Sequence, residues 1–269
     1  MKYFCIWPMS GRKNKYMKFY LKNLICLCLT ASCGEFSVTV YAQEHRPLIQ
    51  TTTFQDQYEG MVCYDGTVLH ALEKADIKRA YENVKAGIVK ISTGNFYGSG
   101  VIWEMNEKEI IIISNKHLLE NWQEDGCITF WNGITSGGRI VKLSSLYDLG
   151  FLKVDIKDLA YEDLISLKEV KKDETAYAGL KAGDAVFHVG SADGAGENMY
   201  EGTVASPFWY IKEFDSYMLY GFGFGKPGMS GGGTFDAYGN FVGMLTGGTD
   251  TDETASLPIT SILEEYSSL

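Results

Sequence analysis

The 269-residue sequence predicts an all-β fold: two antiparallel barrels of about six strands each, with an N-terminal helix and a short C-terminal helix. Three observations carry this reading. Apolar, β-branched runs of strand length recur along the chain, such as Ile110-Ile111-Ile112-Ile113 and Phe241-Val242-Gly243-Met244-Leu245, and glycines punctuate them. The runs fall into two sets, over about 86–156 and 182–260, with a charged connection over 157–181 between them. The strands are short, and closure into barrels is the arrangement that leaves short strands without exposed edges.

Residues 1–42 stand apart. Basic residues at 2, 12, 13, 15, 18 and 22 precede Leu24-Ile25-Cys26-Leu27-Cys28-Leu29, and the segment closes on Val40-Tyr41-Ala42. A basic region, a short apolar core and small residues at a cleavage point describe a secretory leader, cut after Ala42. The core is too short for a membrane-spanning helix, and Cys33 offers a poorer alternative as a lipid-anchored start. Residues 43–85 read as an arm followed by an amphipathic helix over 67–85, its apolar stripe made by Val68, Leu69, Leu72, Ile77, Ala80, Tyr81 and Val84.

Six strands of the first set follow: 87–91, 98–103, 109–113, 126–131, 138–143 and 149–154. The second set comprises 185–190, 199–204, 217–220, 233–235, 241–246 and a short strand near 257–259, and a helix over 261–266 closes the chain. No internal repeat is present, and the two sets leave no room for an appended PDZ-type domain.

Composition narrows the function. The whole chain carries a net charge of −10, and removing the leader's six basic residues and one acidic residue leaves −15. Such a chain is a poor partner for nucleic acid or an anionic membrane. Of six cysteines only Cys63 and Cys127 lie beyond the leader, and an exported chain can hold such a pair as one disulfide or as two thiols. No spacing of cysteine and histidine suggests a metal site, and no cofactor is expected.

Gly228-Met229-Ser230-Gly231-Gly232 carries the chemistry. A serine hydroxyl is a weak nucleophile and needs a base beside it and amide donors aimed at the developing oxyanion. Flanking glycines let the backbone turn tightly and bring successive N–H groups together. The base candidate is His117, where the run Ile110–Ile113 ends in Ser114-Asn115-Lys116. The acid candidate is Asp148, which opens the strand Leu149-Gly150-Phe151-Leu152-Lys153-Val154 and can orient the imidazole.

In these segments, together with Gly98-Ser99-Gly100-Val101-Ile102 and Phe241-Val242-Gly243-Met244-Leu245-Thr246-Gly247-Gly248, the sequence resembles the chymotrypsin-like serine peptidases, closest to the bacterial Deg/HtrA type. The resemblance covers roughly residues 80–265 and implies a double barrel of the chymotrypsin type over 86–269. It implies a secreted serine endopeptidase that forms an acyl-enzyme on a protein or peptide substrate. His117, Asp148 and Ser230 would be its triad, and the N–H groups of Gly228 and Ser230 its oxyanion hole. Thr246, Gly247 and Gly248 would line the strand that pairs with substrate, and Phe224 would stand in the specificity pocket. Phe224 replaces the acid that an Arg/Lys preference needs, and Leu245 replaces the histidine of glutamate-specific relatives. Cleavage after a small or medium apolar residue is the expectation. Two other readings belong beside it. One is a catalytically silent, peptide-binding member of the fold. The other is an esterase, which the order His, Asp, Ser disfavours, because α/β-hydrolases place the serine first.

Overall fold

The computed structural model describes residues 68–194, 196 and 198–269, and the leader and arm segments 1–67 lie outside them. Among the described residues, thirteen strands form two sheets. The first half contains β1 (Ile88–Thr93), β2 (Phe96–Met105), β3 (Glu109–Ser114), β4 (Cys127–Phe130), β5 (Thr135–Ser136), β6 (Arg139–Leu143) and β7 (Gly150–Asp155). They make one seven-stranded antiparallel sheet in the order β5-β4-β1-β2-β3-β7-β6, a half-barrel. The second half contains β8 (Ala185–Gly190), β9 (Asn198–Ile211), β10 (Ser216–Gly223), β11 (Gly233–Asp236), β12 (Phe241–Gly248) and β13 (Glu253–Pro258). These close into a six-stranded barrel, β10-β13-β12-β11-β8-β9. The all-β prediction holds, and the second barrel is the one expected.

The first half differs in staying open. Its edge strand β5 is two residues long and gives no ladder on which to close. The other edge, β6, is strapped by the C-terminal helix: Lys142 Nζ sits 2.6 Å from Glu265 Oε2 and 3.0 Å from Glu265 O. A cation and a covering helix are ways of blunting an edge without closure.

The helix expected over 67–85 is shorter, α1 (Ile77–Val84), capped by Asp76, whose side chain accepts from Arg79 N. Residues 68–75 are instead held to neighbouring loops. Leu69 N donates to Glu169 O and Leu72 N to Tyr238 O, so those backbone donors are spent outside a helix. The second-barrel strand expected over 199–204 runs on to Ile211, and with β10 it makes a long hairpin that projects Phe208, Trp209, Tyr210 and Tyr217 to solvent.

Other helices are short: α2 (Lys116–Leu119), α3 (Tyr161–Leu164), α4 (Glu174–Gly179) and α5 (Ile259–Tyr266). Among the described residues, no helix is long and apolar enough to cross a membrane. One apolar core lies within the first sheet, around Ile91, Ile102, Ile112, Leu118 and Leu152. The larger core joins the halves, packing Trp103, Ile113 and Phe151 with Phe187, Phe235 and Phe241.

Candidate active site

β3 ends at Ser114 because the apolar run ends there, and Asn115 adopts an extended conformation that starts the one-turn helix α2. Leu118 and Leu119 of that turn are fully buried in the first-sheet core, which fixes the turn on the sheet. His117 is thereby held at the sheet's end, and its carbonyl accepts from Asn121 Nδ2 at 2.8 Å.

Asp148 stands two residues before β7, the strand paired with β3. Both of its carboxylate oxygens are engaged by one residue: Oδ1 accepts from His117 N at 2.9 Å, and Oδ2 lies 2.6 Å from His117 Nδ1. An ionised carboxylate has no proton to give, so Nδ1 carries the hydrogen and Nε2 of the neutral ring keeps its lone pair. Both side chains are mostly shielded, at 16% and 18% relative exposure. Tyr147, Phe214, Met218 and Leu257 wall a small recess against Asp148.

Ser230 comes from the other half, in the turn between β10 and β11, and is 5% exposed. Positive φ angles of 93° at Gly228 and 87° at Gly231 bracket it. A Cβ at Gly228 would come within 2.5 Å of Ser191 O, and one at Gly231 within 2.2 Å of Ser99 O, so only glycine fits either place. The turn is docked onto the first half: Ser99 N donates to Ser230 O at 2.8 Å, and Ser114 Oγ donates to Ser99 O at 2.6 Å. The serine loop thus hangs from β2 and, through it, from the strand that leads to His117.

Around Ser230 the backbone donors divide. Met229 N donates to Lys226 O, Gly231 N to Leu245 O and Gly232 N to Met229 O. The N–H groups of Gly228 and Ser230 have no acceptor among the described residues.

The remaining predicted residues lie nearby or apart as follows. Thr246 is buried on β12, and its hydroxyl donates to Met244 O at 3.1 Å. Gly247 and Gly248 pair with Ala255 and Thr254 of β13. On the opposite side β11 reaches only as far as Met244, so that edge of β12 has no strand beside it from Thr246 to Gly248 among the described residues. Phe224 is 44% exposed, with its ring edge-to-face on Tyr200 and Lys226 Nζ 5.8 Å away. Leu245 is fully buried in a cluster with Ala192 and Met229, edged by Tyr200. Cys127 is a half-buried free thiol, and Cys63 lies outside the described residues.

Asn115 is a site residue not foreseen. It is fully buried, and its Nδ2 donates to Asp148 O at 2.9 Å and to Thr246 Oγ1 at 3.4 Å, bridging the acid's backbone to β12. Its signal was a short amide directly after an apolar strand, a position where an uncharged polar side chain needs a partner.

A half-barrel and a closed barrel, with a His–Asp pair on one and a glycine-flanked serine on the other, define the chymotrypsin-like class of fold. A family model described as the trypsin-like peptidase domain matches residues 98–244, more than half of the chain, and the chain belongs to that family. No curated protein matches it. Among solved structures it is similar to the HtrA-type protease AlgW with a tripeptide, at 19% identity and TM-score 0.60, covering 72% of this chain and 63% of that one. An AlgW structure with a decapeptide matches at 16% identity and TM-score 0.60, covering 72% and 66%. An inactive serine-to-alanine mutant of Rv3671c from M. tuberculosis matches at 13% identity and TM-score 0.57, covering 75% and 95%. The chain therefore spans about 63% of the first of these relatives.

Proposed function

We propose that this chain is a serine endopeptidase acting through His117, Asp148 and Ser230. The observation that carries the reading is the His117 Nδ1–Asp148 Oδ2 bond of 2.6 Å, taken together with a glycine-flanked serine whose own N–H and that of Gly228 are unspent among the described residues. In the reaction Ser230 Oγ attacks the scissile carbonyl carbon while His117 Nε2 takes its proton. The carbonyl oxygen becomes an oxyanion and receives the N–H groups of Gly228 and Ser230. Collapse breaks the C–N bond, His117 returns the proton to the departing amine, and water then releases the acyl group by the same steps in reverse. Asp148 holds the ring in the required tautomer throughout.

The substrate in this reading is an extended peptide added along the unpaired Thr246–Gly248 edge of β12. The tripeptide and decapeptide named for the AlgW structures are in keeping with that class of ligand. The apolar preference is carried forward too: Ala192, Met229 and Leu245 form a buried apolar cluster, and position 224 holds no acid. Export rests on the leader pattern of residues 1–42.

The test is cleavage of β-casein by the chain beginning at residue 43, with product ends determined by mass spectrometry and Ser230→Ala run in parallel. Cleavage by the wild type alone, after small or medium apolar residues, is expected. Casein bound but left intact by both proteins would favour the silent, peptide-binding reading, and ends dominated by Arg, Lys or Glu would refute the stated preference.

A further inference from the structure

Two amide hydrogens serve the oxyanion only if their peptide planes are fixed before substrate arrives. In a trans peptide the N–H points opposite to the preceding C=O, so pinning one carbonyl aims the next amide. All three carbonyls of the Pro227–Met229 stretch are pinned. Pro227 O accepts from Asp193 N at 2.8 Å, which turns the Gly228 N–H outward. Met229 O accepts from Gly232 N at 2.9 Å, which does the same for the Ser230 N–H. Between them, Gly228 O accepts from Ser99 Oγ at 2.7 Å.

The Ser99 bond is the only one of the three made by a side chain, and that side chain is fully buried. The same hydroxyl oxygen accepts from Ser191 N at 2.7 Å. Ser191 opens the turn whose Asp193 holds Pro227 O, and Asp193 sits there in a left-handed conformation, φ 51°. One hydroxyl therefore couples the middle carbonyl of the serine loop to the turn that aims the first oxyanion amide.

We propose that Ser99 is a positioning residue of this site: its hydroxyl, clamped between Ser191 N and Gly228 O, holds the Gly228 and Ser230 amides in the orientation that receives the oxyanion. The inference rests on the peptidase reading above. Without the hydroxyl, Gly228 O and Ser191 N lose their shared partner, and the Gly228–Met229 peptide is held only by the bond from Met229 N to Lys226 O. An active site loses about 10²–10³-fold in rate when an oxyanion donor is removed outright. Misaiming a donor costs less.

The experiment compares Ser99→Ala with the wild type in two readouts: the second-order rate of fluorophosphonate labelling at Ser230, and the affinity of the Ser230→Ala background for an uncleaved casein-derived peptide. The labelling reaction passes through an oxyanion-like phosphoryl oxygen, whereas ground-state peptide binding does not use the two amides. A 10- to 100-fold slower labelling with peptide affinity within twofold is expected. Ser99→Cys refills the volume with a weaker donor and should fall between the two; it also serves if the alanine protein does not fold. Labelling of a folded Ser99→Ala protein at the wild-type rate would overturn the assignment while leaving the peptidase reading standing. A wild-type chain that is not labelled at all would remove both.

Discussion

In the proposed mechanism His117 is the base only while its ring stays in one tautomer, and the Asp148 carboxylate is placed to select it, with one oxygen on the ring and the other on the backbone of the same residue. Asp148→Asn keeps the shape but offers an N–H where an acceptor is needed. Peptide hydrolysis should fall by about 10³–10⁴-fold with the unfolding midpoint little changed, measured by steady-state kinetics beside thermal unfolding. His188 on β8 is a different case. It is fully buried, between the hydroxyls of Thr234 at 3.0 Å and Thr254 at 3.3 Å, and burial pushes its pKa down to about 4. The unfolded chain takes up that proton near pH 6.5 and the folded chain only near 4. The contribution is therefore complete above pH 6.5 and is lost as pH falls from there towards 4, a total of about 3 kcal/mol. Urea unfolding at pH 7 and pH 4.5 should show the loss in the wild type and a smaller one in His188→Gln.

At the scale of elements, the open first sheet depends on what covers its edges. The Lys142–Glu265 pair fastens α5 to β6, and Glu265 is buried while Lys142 is half-exposed. Lys142→Met leaves a buried carboxylate without its cation and should cost about 1–3 kcal/mol. Chemical denaturation measures that cost, and fluorophosphonate labelling should be retained because Lys142 Nζ is bonded to Glu265 and Ser268 at the C-terminal end and to none of the proposed catalytic residues. The strands of the first half were readable because their apolar runs are continuous and glycine-bounded. β9 was half-read because Pro207 interrupts the pattern, although its carbonyl is used, accepting from Tyr177 Oη at 2.7 Å. The helix over 67–85 was overread because Val68, Leu69 and Leu72 mimic a helical stripe, and no local signal reveals that two of their amides go to distant carbonyls. The close pairing of His117 with Asp148 was legible from the motifs at the ends of their strands. Asn115 and Ser99 were not legible in these places, because their partners, mostly backbone atoms, come from remote parts of the chain.

At the scale of the molecule, the two halves share one apolar core and are expected to unfold together. Trp103 of β2 packs edge-to-face on Phe241 of β12 at 6.0 Å, Phe241 edge-to-face on Phe235 at 5.7 Å, and Phe235 stacks on Phe187 at 5.5 Å. A core shared in this way forbids one half to melt while the other keeps its packing. Calorimetry of the wild type should give one transition. Trp103→Ala should lower stability by about 3–5 kcal/mol and move the whole transition without splitting it. The same shared core backs β2, the strand from which the serine loop hangs. The most direct test of the account is the intact mass of the chain beginning at residue 43 after fluorophosphonate treatment, with the adduct mapped by peptide digestion. A single adduct on Ser230, absent from Ser230→Ala and strongly slowed in Asp148→Asn, is the expected result. A folded wild-type protein that carries no adduct, or carries it on another serine, would contradict it.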